Sequence, residues 1–264
     1  MIFQDMPLWL IVAATIFAVL LSIELGYRLG NNLNKRIEVE KESPVSVISG
    51  AILGLLAFML AFVFGILYNR FEARKGLVRE ESLAISKVWL RSDFMSEPDR
   101  GKSVKLLKEY LDTRISSFQS GDKARIIIAL KESDRIQAEL WDMAVVNARK
   151  DMNSDVAALY IEALNEMMDI HDMRVVRGLQ AKTPLGLWLG LYAILFLGMF
   201  SIGYQTAIVQ SRRSLASLLL ALSFTTMFIL ITTLDRPLEG FFKVPQQPLL
   251  NLQAKMAGKE IPVE

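Results

Sequence analysis

The 264-residue sequence has no cysteine and a single histidine, His171. Without thiols it forms no disulfide, no thiolate nucleophile and no Cys-based metal site. One imidazole likewise rules out a multi-histidine centre. Asp169, His171 and Asp172 are close in sequence, but helix neighbours diverge by about 100° each, so the three do not converge on one ion. A phosphate-binding glycine loop, a nucleophile elbow, an HExxH pair and a dinucleotide fingerprint are also missing. No enzyme activity, cofactor or metal is therefore expected. The formal net charge is only +2, and Lys and Arg are mixed with Asp and Glu. The basic blocks that mark a nucleic-acid partner are absent. So are strand-like alternation, internal repeats and low-complexity tracts. None of the eight prolines interrupts an apolar run, which argues against the broken helices of transporters with a midplane site.

What the sequence does have is apolar residues, 52% of the chain, gathered into four blocks. Pro7 to Ile23 carries no charge, and Glu24 lies near the end of a stretch that runs to Tyr27. Val45 to Tyr68, Pro184 to Ser211 and Ser214 to Leu234 contain no Asp, Glu, Lys or Arg. A bilayer core about 30 Å thick needs roughly 20 apolar residues in a helix, so each block is long enough to span it. The first block has Asp5 and no basic residue before it, unlike a signal peptide, and reads as a retained helix. The expected fold is an all-α membrane protein with four transmembrane helices in a two-plus-two arrangement around an extramembrane helical bundle. The expected divisions are a first transmembrane pair in 1–68 (helices about 7–29 and 44–68), a helical domain in 69–183, a second pair in 184–234 (helices about 184–210 and 214–234) and a Pro-containing tail in 235–264.

The second helix is expected to continue past the bilayer. From Asn69 to Phe94 there is no proline, and apolar residues recur at Leu77, Leu83 with Ala84, Val88 and Leu90, at helical spacing. Ser96–Glu97–Pro98–Asp99 reads as a break and a cap for a new helix. Three amphipathic helices follow, at about 100–118, 123–150 and 155–181. The first is expected to bury Val104, Leu107, Tyr110, Leu111 and Ile115, and the second Ile127, Leu130, Ile136, Leu140 and Val145. The first span is expected to end near Gly26–Arg28, with Asn31, Asn32 and Asn34 as stop signals. In the tail, three prolines and a glycine argue against a regular helix, while Phe241, Phe242, Leu249 and Leu250 point to packing.

Several residues stand out within the spans. Gly50, Gly54, Ala57, Ala61 and Gly65 form a stripe of small residues on one face of the second helix, a pattern that admits close helix contact in lipid. It fits either a neighbour in the same chain or a subunit interface. Phe58 and Phe62, four apart, fit either lipid-facing bulk or a hydrophobic constriction. Gly186 and Gly190 form a second small-xxx-small pair. The hydroxyls of Thr225, Thr232 and Thr233 are expected to bond their own helix. Glu24 and Arg28 have the spacing of an ion pair.

Two segments carry a resemblance. LVREES, with Leu77, Val78, Glu81 and Ser82, is similar to the "LVxxEA" found where the second helix leaves the membrane in bacterial bestrophin-like membrane proteins. LDRPLEGFFKVPQQP, with Leu234, Asp235, Pro237, Leu238, Gly240, Val244 and Pro245, resembles that family's "LDxPFxG…VSPxxF". Ser82 replaces Ala, Leu238 replaces Phe, and Pro245 stands where Ser is usual. The resemblance implies an oligomeric, channel-like assembly with inorganic ions as passengers and the pore lined by the second helix, in the multi-pass setting of a bacterial inner membrane. The alternative is a membrane-anchored sensor or scaffold whose helical domain binds a protein partner. Arg28, Lys35, Arg36, Lys41, Arg212 and Arg213 in the short loops favour a cytoplasmic position for those loops, with the domain and both termini outside. Arg70, Arg74, Lys75 and Arg79 weigh the other way, as does the cytosolic domain of bestrophins.

Overall fold

The computed structural model describes residues 7–34, 42–120, 122–180, 183–209, 215–236 and 242–259. Every regular element among them is helical. They are α1 (Leu8–Asn34), α2 (Glu42–Ser92), α3 (Asp99–Ser120), α4 (Lys123–Lys150), α5 (Asp155–Val175), α6 (Leu185–Ile208), α7 (Leu215–Asp235) and α8 (Gln247–Met256). A π turn, Val176–Gln180, extends α5. α1, α2, α6 and α7 are long and apolar enough to cross a membrane, which gives the two-plus-two order along the chain.

α2 is one unbroken helix of 51 residues, about 76 Å at 1.5 Å per residue. α1 does not stop at Gly26–Arg28. It continues through Asn31 and Asn32 to Asn34, because Gly26 and Gly30 are packing positions on α6. The tail also departs from expectation, since α8 forms with Pro248 in its first turn, where a proline removes no helix hydrogen bond.

Two compact units divide the chain. The first comprises Met1–Asn69 and Lys182–Phe242. Within it α1 and α6 touch almost backbone to backbone. A Cβ built on Gly26 would lie 2.0 Å from the carbonyl oxygen of Phe200, and one on Gly203 would lie 2.0 Å from that of Ile23. Only hydrogen fits at either place. Ser22 donates to the Phe196 carbonyl at 2.7 Å, and Ser49 meets Ser201 at 2.6 Å, bringing α2 to the same partner. Tyr192 of α6 and Phe228 of α7 pack with ring centroids 4.4 Å apart. Thr225, Thr232 and Thr233 donate to their own i−4 carbonyls at 2.7–2.8 Å. Arg28 donates to Glu24 at 2.8 Å.

The second unit comprises Arg70–Ala181 and Lys243–Glu264. Its core joins Val78, Ile85 and Val88 of α2 to Leu107 and Leu111 of α3, Ile136 and Leu140 of α4, Leu164 and Met167 of α5, and Leu249 and Leu252 of α8. On α4 the buried face starts at Ile126 and leaves Ile127 exposed, one position from the expected stripe. Capping is conventional: Asp122 accepts from the Ala124 amide, and Ser154 from that of Ala157.

Candidate functional site

In the membrane half of α2, the side chains that pack within the unit are Ser49, Leu56, Leu60, Val63 and Leu67. The face carrying the small residues is open. A Cβ on Gly50, Gly54 or Gly65 meets nothing within 4 Å among the described residues, and Ala57 and Ala61 are exposed. Phe58 and Phe62 are 66% and 55% exposed and stack with centroids 6.5 Å apart. Gly186 and Gly190 on α6 are open in the same sense. The close glycine contacts inside the chain belong instead to Gly26, Gly30 and Gly203. Gly26 and Gly30 have the small-xxx-small spacing and were detectable on that ground.

The remaining half of α2 carries the chemistry. Its buried face repeats at Val78, Glu81, Ile85 and Val88, so a carboxylate occupies a core position. Glu81 is fully buried. Arg114 of α3 donates through Nε to Glu81 Oε1 at 2.7 Å, and the Tyr110 hydroxyl donates to the same oxygen at 3.3 Å. Arg174 of α5 forms an ion pair with Oε2. Phe118 sits beneath both cations, 4.5 Å from the Arg174 guanidinium and 5.3 Å from that of Arg114. Arg174 also donates to Gln246 at 3.2 Å.

The network continues through Tyr110. Its hydroxyl lies 3.0 Å from Nδ1 of His171 and accepts from Gln137 at 3.4 Å. Nε2 of His171 is 3.4 Å from Asp134. Burial, reinforced by the charge of Arg114, pushes the His171 pKa down to about 3, so the ring is neutral. Burial lowers Arg174 to about 9, still protonated at neutral pH, and raises the Tyr110 hydroxyl above its usual range. Arg114 is lowered, chiefly by burial. A guanidinium nevertheless keeps its proton in proteins. Glu81 is thus a junction that ties α2 to α3 and α5.

The other motif residues fall around this junction or outside the described positions. Leu77 and Val78 are buried. Ser82 donates to the Pro248 carbonyl at 2.9 Å and so helps seat α8. Asp235 accepts from Thr183 at 2.5 Å, joining the end of α7 to the approach of α6. Pro237 and Gly240, with Leu238 and Phe241, lie outside the described residues. A groove of about 950 Å³ runs between α2 and α5, lined by apolar Leu83, Ile161 and Met173 and by polar Glu80, Glu162 and Asp169 among others.

A model of the bestrophin-like domain matches residues 12–249. Two solved structures of variants of a bacterial bestrophin homologue from Klebsiella pneumoniae superpose with TM-scores of 0.65 and 0.69, each at 15% identity. They cover 94% and 93% of this chain and 99% and 100% of their own. A structure described as a membrane protein superposes at 0.66 with 16% identity, covering 93% of this chain and 99% of its own. At such identity the likeness concerns the fold. Among curated proteins none matches.

Proposed function

The chain belongs to the bestrophin-like family, and from that premise we propose that it is a homo-oligomeric ion channel of a bacterial inner membrane, with α2 lining the pore. The observation that carries this reading is the open face of α2. The described residues leave Gly50, Gly54 and Gly65 without a neighbour within 4 Å of a Cβ and leave Phe58 and Phe62 exposed, although all five lie in an apolar span. Lipid tails gain little from glycine, which offers no side chain to pack, whereas a second helix gains close backbone approach. Copies of α2 around an axis would bring the glycines to the helix contacts. The rings of Phe58 and Phe62 then form a dewetting constriction. The sidedness we assign, from the short-loop Lys and Arg, keeps the polar bundle outside the cytoplasm.

Native mass measurement in mild detergent, paired with ion flux into liposomes, tests the reading. The wild type is expected to be a defined oligomer that conducts, and Phe58→Ala to raise flux at unchanged mass. A monomer without flux overturns it. The second reading, a sensor or scaffold that binds a protein partner, draws on the groove between α2 and α5. Under it, Phe58→Ala is silent, while replacing Leu83 and Met173 with Ser abolishes partner capture.

A further inference from the structure

The groove between α2 and α5 lies wholly within the polar unit, and its lining is lopsided in charge. Glu80, Glu162, Glu166 and Asp169 face it, against a single Lys87. Lys87 is taken by Glu166 at 2.6 Å, and Arg91, just beyond the lining, takes Glu162 at 3.0 Å. Glu80 and Asp169 are exposed and have no ion-pair partner among the described residues. The same lining includes Leu83, 63% exposed, and Met173, 39% exposed. Large apolar side chains gathered in one groove and accompanied by charge mark a contact surface.

The same unit carries the opposite surface. At the start of α4, Ile127 and Ile128 are 46% and 68% exposed, beside the buried Ile126. Arg125 lies one turn before Ile128 and Lys131 one turn after it, so two cations flank that isoleucine. Arg125 is 3.8 Å from Asp122, a long pair on an exposed side chain. Lys131 has no ion-pair partner among the described residues. At 1.5 Å per residue, Arg125 to Lys131 is about 9 Å along the helix, and Glu80 to Lys87, the stretch of α2 in the groove, about 10 Å. The lengths match and the charges are opposite.

We infer that the groove receives the first turns of α4 from a second copy of this chain, with Ile128 entering beside Leu83 and Met173 while Arg125 and Lys131 meet Glu80 and Asp169. Both surfaces are exposed in one chain, so the contact is not made within it. They are different patches. Each copy therefore gives α4 to one neighbour and receives it from another, a head-to-tail contact that closes into a ring when the rotation allows. Opposed charge fixes which way round the copies meet and disfavours groove against groove, where carboxylates would face carboxylates. The inference rests on the oligomeric part of the reading above and is independent of conduction.

A chain without cysteine lets introduced thiols report alone. Leu83→Cys and Ile128→Cys, singly and together in the full chain, are treated in mild detergent with a short bis-maleimide. Both positions are exposed, so the fold should be kept. The double variant is expected to give a ladder of covalent multimers on a denaturing gel, up to the mass of the native oligomer. Coexpressed single variants should give dimers and nothing larger, and either single variant alone only single chains. Adding Glu80→Lys with Asp169→Lys should abolish the ladder, and further adding Arg125→Glu with Lys131→Glu should restore it, a rescue that a merely structural effect would not give. A native oligomer whose double variant runs as single chains overturns this inference and leaves the oligomer standing. A monomer by native mass overturns both. Leu83→Cys that links to itself also overturns the inference, because groove then meets groove.

Discussion

Glu81 stands where the pattern of α2 calls for another valine, between Val78 and Ile85 on the buried face. Its two oxygens are shared among Arg114, Arg174 and Tyr110, so removing the carboxylate strands two guanidiniums. Breaking such a buried pair costs about 3–5 kcal/mol, far more than an exposed pair such as Lys87–Glu166. Glu81→Ala is therefore expected to lower the thermal midpoint severely in detergent, while Glu166→Ala leaves it nearly unchanged. His171 supplies a second prediction. Its pKa is depressed to about 3 in the folded chain from an ordinary 6.5. Between those values the unfolded chain binds the extra proton, so the contribution is complete above about pH 6.5 and lost as pH falls toward 3. The wild-type midpoint should fall between pH 7 and 4.5 by more than that of His171→Gln, because the acidic groups common to both cancel. Glu81 was visible in the sequence through its motif. Arg114 and Arg174 were missed, although the signal existed: each lies on its helix's apolar face, beside Leu111 and beside Ile170. A charge on such a face reads as flank until its partner, 33 residues from Arg114, is known.

Among the elements, α2 is the easiest to read from sequence, since proline is absent between Pro44 and Pro98 and its period never breaks. The ends of α1 and the tail were harder. Asn31, Asn32 and Asn34 carry stop-signal chemistry, yet close packing of Gly26 and Gly30 on α6 keeps that turn helical. Tertiary contact outweighed local preference there. In the tail, Pro248 reads as a breaker, yet in a first turn it favours the helix. The glycine positions also make opposite predictions. Gly203→Ala forces a methyl into the Ile23 carbonyl, and overpacking of that kind costs about 1–3 kcal/mol. It should reduce the yield of folded protein and its thermal midpoint. A Cβ at Gly54 meets nothing within 4 Å among the described residues, so Gly54→Leu should leave the subunit's fold intact.

At the scale of the whole molecule, the same Gly54→Leu variant reports on assembly. If α2 packs against its copies along the small-residue face, native mass should shift from oligomer toward monomer while helicity by circular dichroism is retained. An unchanged oligomer would place that face toward lipid. Four spans and a polar helical unit could be read from hydropathy alone, because apolar runs and their interruptions are local properties. Which faces meet could not, because that depends on partners far apart in the chain. α1 shows what this separation entails. Gly26 and Gly203, which accept each other's helix backbones, are 203 − 26 = 177 residues apart. At about 5–20 residues per second of synthesis, the first span waits roughly 9–35 s for its mate. Throughout that interval two glycines lie bare in a helix already made. The order in which the spans are born is therefore not the order in which they pair, and during synthesis whatever shields that strip must be lipid, the insertion machinery or α2 as a provisional neighbour.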